Sequence, residues 1–309
     1  MSIVSAVQTH VSVKISLTLA AVLVVLTALA AIYITHHETR QMEELTLEKA
    51  RVSASIGARQ FGDVLDGAID GGSLTVNDVF DRQYVEIKGY NWGAGALAKP
   101  KYHTRYDSAI EPAVLVFEDK FLEQEDFLFA VGVDENGYLP THNTRFQKPL
   151  TGDPEKDLAG NRTKRIFNDP VGFAAAKNVE PSLLQVYKRD TGETMWDVSS
   201  PIFVKGKHWG GFRVGVSMER IDSRKETLLL TLAAIFLVFA AVTIGTMFVV
   251  VRRAMRPVVA LTAAADQISM GEGLDTAIKS DSVDEIGQLT KSVDRLRVSM
   301  KAAMSRLGQ

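Results

Sequence analysis

The 309-residue chain predicts an α+β fold in which a domain with a long N-terminal helix and an antiparallel sheet is held between two transmembrane helices and followed by a helical linker. Three observations predict it. Stretches 15–35 and 227–251 are apolar and carry no charge. The region between them changes from helical to strand-like patterning. The region after them carries apolar residues three and four apart, the seam of a coiled coil.

Composition narrows the function classes. With 35 basic and 37 acidic residues and a net charge of -2, the chain offers no global basis for binding nucleic acid. The absence of cysteine excludes disulfides, thiolate metal sites, cysteine nucleophiles and thioether-linked haem.

Residues 1–14 form a short arm with Lys14 and no acidic residue, so it suits the cytoplasmic side. At 1.5 Å per residue, 15–35 and 227–251 are both long enough to cross a hydrocarbon core of about 30 Å. Ala28-Leu29-Ala30 offers a signal-peptidase-like site, but apolar residues continue through Ile32, Tyr33 and Ile34, which suits an uncleaved anchor better. Arg252, Arg253 and Arg256 directly follow the second stretch and assign that end to the cytoplasm. Residues 36–226 then lie on the outer side of the membrane.

Within 36–226, Met42, Leu45, Leu47, Val52, Ile56, Phe61, Val64, Leu65 and Ile69 mark an interrupted helical stripe that Gly71-Gly72 ends. Strand-like runs follow at 127–133, 183–188, 195–204 and 209–218. Asn136-Gly137 before Tyr138-Leu139 signals a hairpin. Asp190-Thr191-Gly192-Glu193 and Lys205-Gly206-Lys207-His208 are turns of a meander, and 146–181 reads as helical and loop excursions over one sheet face. A membrane-proximal helix leading into a five-stranded antiparallel sheet resembles the extracytoplasmic Cache sensors, relatives of PAS domains. The segments 137–143, 161–167 and 208–210 are similar to sensor regions of bacterial chemoreceptors.

Residues 252–305 read as two amphipathic helices around a connector. Val258, Leu261, Ala265 and Ile268 form the first seam. Ile286, Leu289, Val293, Leu296, Met300, Ala303 and Leu307 form the second, and 306–309 are a short tail. Pro257 suits a first helical position, Gly271 and Gly273 stop the first helix, and Leu274 and Ile278 are placed to pin the connector. Asp284 and Glu285 meet the positive end of the second helix. Arg256-Pro257, Ala264-Ala265-Asp266, Gly271 and Asp284-Glu285-Ile286-Gly287 make this region resemble a HAMP domain. That resemblance implies a homodimer through HAMP and membrane helices, in which movement of the second span changes helix packing.

For a ligand site, Arg162, Lys164 and Arg165 put three cations in four residues beside Asn161. Arg189 and Arg213 lie in or beside strands, with His142, His208, Trp196 and Trp209 near them in the pattern. Guanidinium groups hold carboxylates bidentately and aromatic rings enclose an apolar body. The expected partner is a small anion or zwitterion, an organic acid or amino acid. The alternative is that Arg162, Lys164 and Arg165 pair with Asp153, Glu155 and Asp169 on the surface. His36, His37, His103, His142 and His208 show no compact ligand spacing, so no metal or cofactor is expected. There is no phosphate loop, nucleophile elbow or metalloprotease helix, and no enzyme is expected. No output domain follows the linker, so the chain is expected to be a truncated receptor or a stand-alone sensor acting through a separate cytoplasmic protein. The competing reading is a membrane-anchored accessory or scaffold subunit with no ligand of its own.

Overall fold

A computed structural model describes residues 11–93, 98–189 and 192–307. The expectations for 1–10, for Asp190-Thr191 and for 308–309 lie outside the described residues. The chain divides into an α+β unit, His36–Leu228, and a second unit made of Met1–Thr35 with Leu229–Gln309.

Helix α1 (Val11–Asp70) carries the first apolar stretch and continues into the α+β unit. It ends where Gly72 takes a positive φ of 74°, letting the Ser73 amide bond back to the Ala68 carbonyl at 3.0 Å and the Gly72 amide to Ile69 at 3.0 Å. Then come α2 (Val76–Val79), a small pair β1 (Val85–Glu86) and β2 (Tyr102–His103), and α3 (Asp107–Phe121). The principal strands are β3 (Phe127–Asp134), β6 (Leu183–Lys188), β7 (Thr194–Val204) and β8 (Lys207–Ser217). They form an antiparallel sheet in the order β3-β8-β7-β6. Between β3 and β6 lie β4 (Tyr138–Leu139), α4 (Pro154–Gly160), β5 (Arg165–Ile166) and α5 (Pro170–Lys177).

Two expectations need correction here. The main sheet has four strands rather than five. The Asn136-Gly137 turn forms, with the Gly137 amide donating to Asp134 at 2.8 Å, but it does not close a hairpin, because β4 pairs with β5 instead. The reason lies at the free edge of β3. Its Ala130 amide donates to Asn143 Oδ1 at 2.9 Å and its Gly132 amide to Glu118 Oε1 at 3.0 Å. Side chains thus satisfy the edge that a fifth strand would use. Burial pushes the Glu118 carboxyl up to about 8, so it serves this edge as a neutral acid at pH 7.

The expected helical stripe holds only in part: Phe61 and Leu65 are buried, and Leu47, Val64 and Ile69 pack beside them. Leu45, Val52 and Ile56 are exposed, while Ala50, Ala54, Ala58, Phe61 and Leu65 are buried against Phe212, Val214 and Val216 of β8. Small residues let helix and sheet approach closely, and rings lie over glycines: Phe212 covers Gly57, and Phe61 covers Gly132, where an added Cβ would overlap the ring. The Lys205-Gly206 turn, with both φ values positive (48° and 75°), closes the β7–β8 hairpin, and Lys205 Nζ reaches Asp70 at 2.7 Å.

Helix α6 (Met218–Ser269) starts in the α+β unit and runs unbroken through Pro257 in the second unit. Pro257 was expected to open a helix, and it instead sits inside one. A proline removes one amide donor, and here the chain tolerates that loss rather than starting a new helix. Gly271 and Gly273, with φ of 80° and 68°, turn the chain after α6. Helix α7 (Glu285–Leu307) is capped by Asp284 Oδ1, which accepts from the Ile286 and Gly287 amides at 2.9 and 3.1 Å. The connector is fastened by polar groups: Asp294 Oδ1 accepts from the Ile278 amide at 2.9 Å, Arg297 donates to the Leu274 carbonyl, and Lys301 pairs with Asp275 at 2.6 Å. Leu261 and Ile268 are buried, whereas Leu289 and Leu296 are exposed.

Candidate ligand site

Strand alternation gives the principal sheet two different faces. On β8, Phe212, Val214 and Val216 enter the core beneath α1. Gly211, Arg213 and Gly215 face the other way, toward α5 and the 138–170 segment. There a cavity of about 480 Å³ opens, walled by Phe129, Val131 and Val133 of β3, Leu139 of β4, Ile166 of β5, and Phe167, Pro170 and Val171 leading into α5. Tyr187, Lys188 and Arg189 close it from the β6 side.

Four arginines line this cavity: Arg162, Arg165, Arg189 and Arg213. They reach it from three parts of the chain. In a regular strand, Arg162 and Arg165 would point to opposite faces. Lys164 between them has a φ of 61°, an uncommon left-handed conformation for a side-chain-bearing residue. This turn brings both arginines to the cavity and sends Lys164 away, to Asp107 at 3.3 Å and Glu111 at 3.0 Å. The Lys164 amide donates to the Leu139 carbonyl and its own carbonyl accepts from Tyr102, both at 2.8 Å.

Aromatic rings back the guanidinium groups. Arg162 and Arg165 lie 5.2 and 5.0 Å from the Phe167 centroid. Arg189 lies 4.8 Å from Phe146 and 5.7 Å from Phe129, and Arg213 lies 5.8 Å from Phe129. Phe129 can lie across β8 because Gly215 has no side chain there. Each ring holds a cation by its face, and Arg165 also donates to the Leu158 carbonyl at 3.1 Å.

The charge balance is positive. Lys99 and Lys188 join the four arginines in the wall, against one lining carboxylate among the described residues, Asp169. Asp169 Oδ1 caps α5 by accepting from Val171 and Gly172, each at 3.1 Å. Asp197, fully buried on β7, accepts from Arg213 Nε at 3.0 Å and Nη2 at 2.5 Å. Arg189 pairs with Glu193 at 3.2 Å. Burial, and then the Arg162 charge, lowers the Arg189 pKa. Burial followed by Arg162, Arg189 and Arg165 holds the His142 imidazole well below its usual range, so it is neutral at pH 7. Its Nδ1 is buried without a hydrogen-bond partner.

Lys101 stands behind the arginines. Its Nζ donates to Asn161 Oδ1 and to the Thr163 carbonyl, both at 2.5 Å, and to the Asn161 carbonyl at 3.1 Å. Burial, with Arg165 next, brings its pKa down to about 7. Three groups are therefore driven toward neutrality by burial and by crowded positive charge, and a bound anion reverses the second cause.

Five of the ten residues singled out for ligand contact meet in this cavity: His142, Arg162, Arg165, Arg189 and Arg213. The other five lie elsewhere. Trp209 is buried in the core between Phe61 and Tyr106 and donates to the Val79 carbonyl at 2.9 Å. Trp196 faces the same core. His208 contacts the Asn178 carbonyl at 3.0 Å, Asn161 binds Lys101, and Lys164 binds Asp107 and Glu111. Strand parity separates Trp196 from the cavity, whereas Trp209, which alternation would place on the face of Arg213, is turned into the core by the register shift between β7 and β8 at Ile202 and Phe203. The surface pairing considered for Lys164 with Asp153, Glu155 and Asp169 gives way to its buried pairs. Phe129, Phe146 and Phe167 were missed, although each precedes or follows a named cation in the folded site. Their only signal was aromatic character in strand and loop segments.

Residues 249–302 match the HAMP domain family. The match takes in the end of the second apolar stretch, the first seam, the connector and most of α7. HAMP therefore directly follows a helix long and apolar enough to cross a membrane, and a second such helix carries the first stretch. A search of curated proteins found no match. Among solved structures, the sensor domain of E. coli DcuS aligns at 18% identity with a TM-score of 0.27, over 37% of this chain and 73% of that one. The extracellular domain of a putative histidine kinase, vpHK1S-Z8, aligns at 12% identity with a TM-score of 0.28, over 61% of each chain. Two candidate membrane helices, an α+β unit and HAMP together make this chain a transmembrane signal transducer.

Proposed function

We propose that the chain is a chemoreceptor-like sensor of the bacterial inner membrane, without catalytic activity of its own. Its α+β unit is Cache-like, faces outward, and binds a small organic acid or amino acid in the arginine-lined cavity. HAMP passes the resulting movement to a separate cytoplasmic protein. One observation carries this reading: Arg213 lines the cavity from β8, and β8 runs at Ser217 straight into α6. That helix carries the second apolar stretch and enters the HAMP match.

Charge supports the topology. Arg224 pairs with Glu125 and Asp126 at 2.7 and 2.9 Å, and Lys225 with Glu43 and with Asp222 at 2.5 and 3.3 Å. These partners offset the cations that precede the second stretch and leave Arg252, Arg253 and Arg256 to set orientation. The exposed Leu289 and Leu296 on α7, with Leu45, Val52 and Ile56 on α1, supply apolar faces for a parallel homodimer.

Because the chain lacks cysteine, single introduced cysteines report cleanly. In intact cells, a membrane-impermeant maleimide should label Lys156→Cys and not Ser280→Cys, both at exposed positions. Leu296→Cys should cross-link between two copies at a rate that an added organic or amino acid pool alters. Reversed labelling rejects the topology, and a cross-linking rate that no acid changes rejects the receptor in favour of a scaffold.

A further inference from the structure

We infer that the cavity selects a carboxylate on an apolar body of ring or medium-chain size that bears no ammonium group; this deepens the receptor reading above and rests on it. Three observations carry it. The first is size. Water occupies about 30 Å³ per molecule, so a four-carbon acid would leave most of a 480 Å³ space wet. Cavities of this volume suit guests that bury most of their surface against apolar walls.

The second is the chemistry of the wall. Val131, Val133, Leu139, Ile166 and Val171 present only hydrocarbon to the guest, and Phe167 joins them. A small dianion gives these groups nothing to bury. A ring or chain covers them and gains about 25 cal/mol for each Å² of apolar surface removed from water.

The third is the sign of the charge. Six cationic side chains face one lining carboxylate among the described residues, and that carboxylate caps α5. Asp197 and Glu193 are engaged by Arg213 and Arg189. An α-ammonium group would meet net repulsion from six cations, with Asp169, which already accepts two α5 amides, as its one counter-charge among the described lining residues. A lone carboxylate instead enters a wall of net positive charge whose guanidinium groups are held in place by Phe129, Phe146 and Phe167. The buried, unpartnered His142 Nδ1 adds a neutral polar contact at the same end.

The test uses the full-length protein in nanodiscs and calorimetric titration with matched probes. 3-Phenylpropanoate and phenylalanine differ only by the ammonium group. 3-Phenylpropanamide removes the charge, octanoate replaces the ring with a chain, and butanedioate removes the apolar body. 3-Phenylpropanoate or octanoate should bind at least tenfold more tightly than phenylalanine, the amide and butanedioate. Arg162→Gln should weaken that binding at least tenfold, and Val171→Asp, at a half-buried position of the same wall, should weaken it at least tenfold without changing the melting temperature of the probe-free protein by more than a few degrees. Phenylalanine or butanedioate binding as tightly as 3-phenylpropanoate overturns the inference and leaves the receptor reading standing. Absence of binding by every acid, in the wild type as in the Arg162→Gln protein, overturns both.

Discussion

Lys101 is the residue through which pH enters the candidate site. Its ammonium holds the carbonyls on either side of Arg162, and its pKa of about 7 means that it is half-protonated near neutrality. An anion in the cavity favours the charged form, so binding draws a proton from solvent near pH 7. By linkage, affinity for a carboxylate is highest below pH 7 and falls as the pH rises through 7 toward the ordinary lysine range. Calorimetry in buffers of different ionisation enthalpy should show fractional proton uptake at pH 7 in the wild type. In Lys101→Met this uptake should vanish and the affinity profile between pH 6 and 9 should flatten. Arg213 has a different character, because Asp197 already neutralises it. Arg213→Met leaves a buried carboxylate uncompensated and should cost about 3–5 kcal/mol of α+β-unit stability. The Arg213→Met, Asp197→Leu double variant should recover most of that in thermal unfolding. If the double variant melts as low as the single one, Arg213 stabilises through packing rather than through its charge.

Glycines and rings decide how the elements sit together. Phe129 lies over Gly215 between two strands, as Phe61 lies over Gly132 and Phe212 over Gly57. Gly215→Val would drive a side chain into the Phe129 ring, costing about 1–3 kcal/mol as overpacking and removing the platform beneath Arg189 and Arg213. Near-ultraviolet circular dichroism should report the displaced ring, and carboxylate binding should fall at least tenfold. Much at this scale was legible beforehand. Alternation and turn residues located β6, β7 and β8 to within two residues, and the 3-4 spacing located α7 and the C-terminal part of α6, though not the start of that helix. What escaped was what local pattern does not encode. The partner of β4 was chosen by Glu118 and Asn143 occupying the β3 edge from a distance. The buried face of α1 was chosen by alanines that fit against the sheet, not by the larger Leu45, Val52 and Ile56. In the site, the cationic run at 162–165 announced itself. The exclusion of Lys164 depended on one left-handed residue, that of Trp196 on strand parity, and that of Trp209 on the register shift between β7 and β8.

At the scale of the whole molecule, the order of parts explains more than any one of them. Two stretches able to span a membrane bracket a domain whose cavity gathers arginines from β8, the β6 end and the 161–165 segment, and HAMP follows the second stretch. Ser217 closes β8 and Met218 opens α6, so the strand that carries Arg213 and the helix that leads to HAMP share one peptide bond and no loop. Such a joint has no slack: a pull on the strand of even a fraction of an ångström is delivered to the helix, not absorbed. Inserting Gly-Gly-Ser between Ser217 and Met218 should therefore leave carboxylate affinity within about twofold while erasing the ligand-dependent change in Leu296→Cys cross-linking. A receptor whose response survived that insertion would be passing its message through α1 instead, by way of the helix that packs on the opposite face of the same sheet.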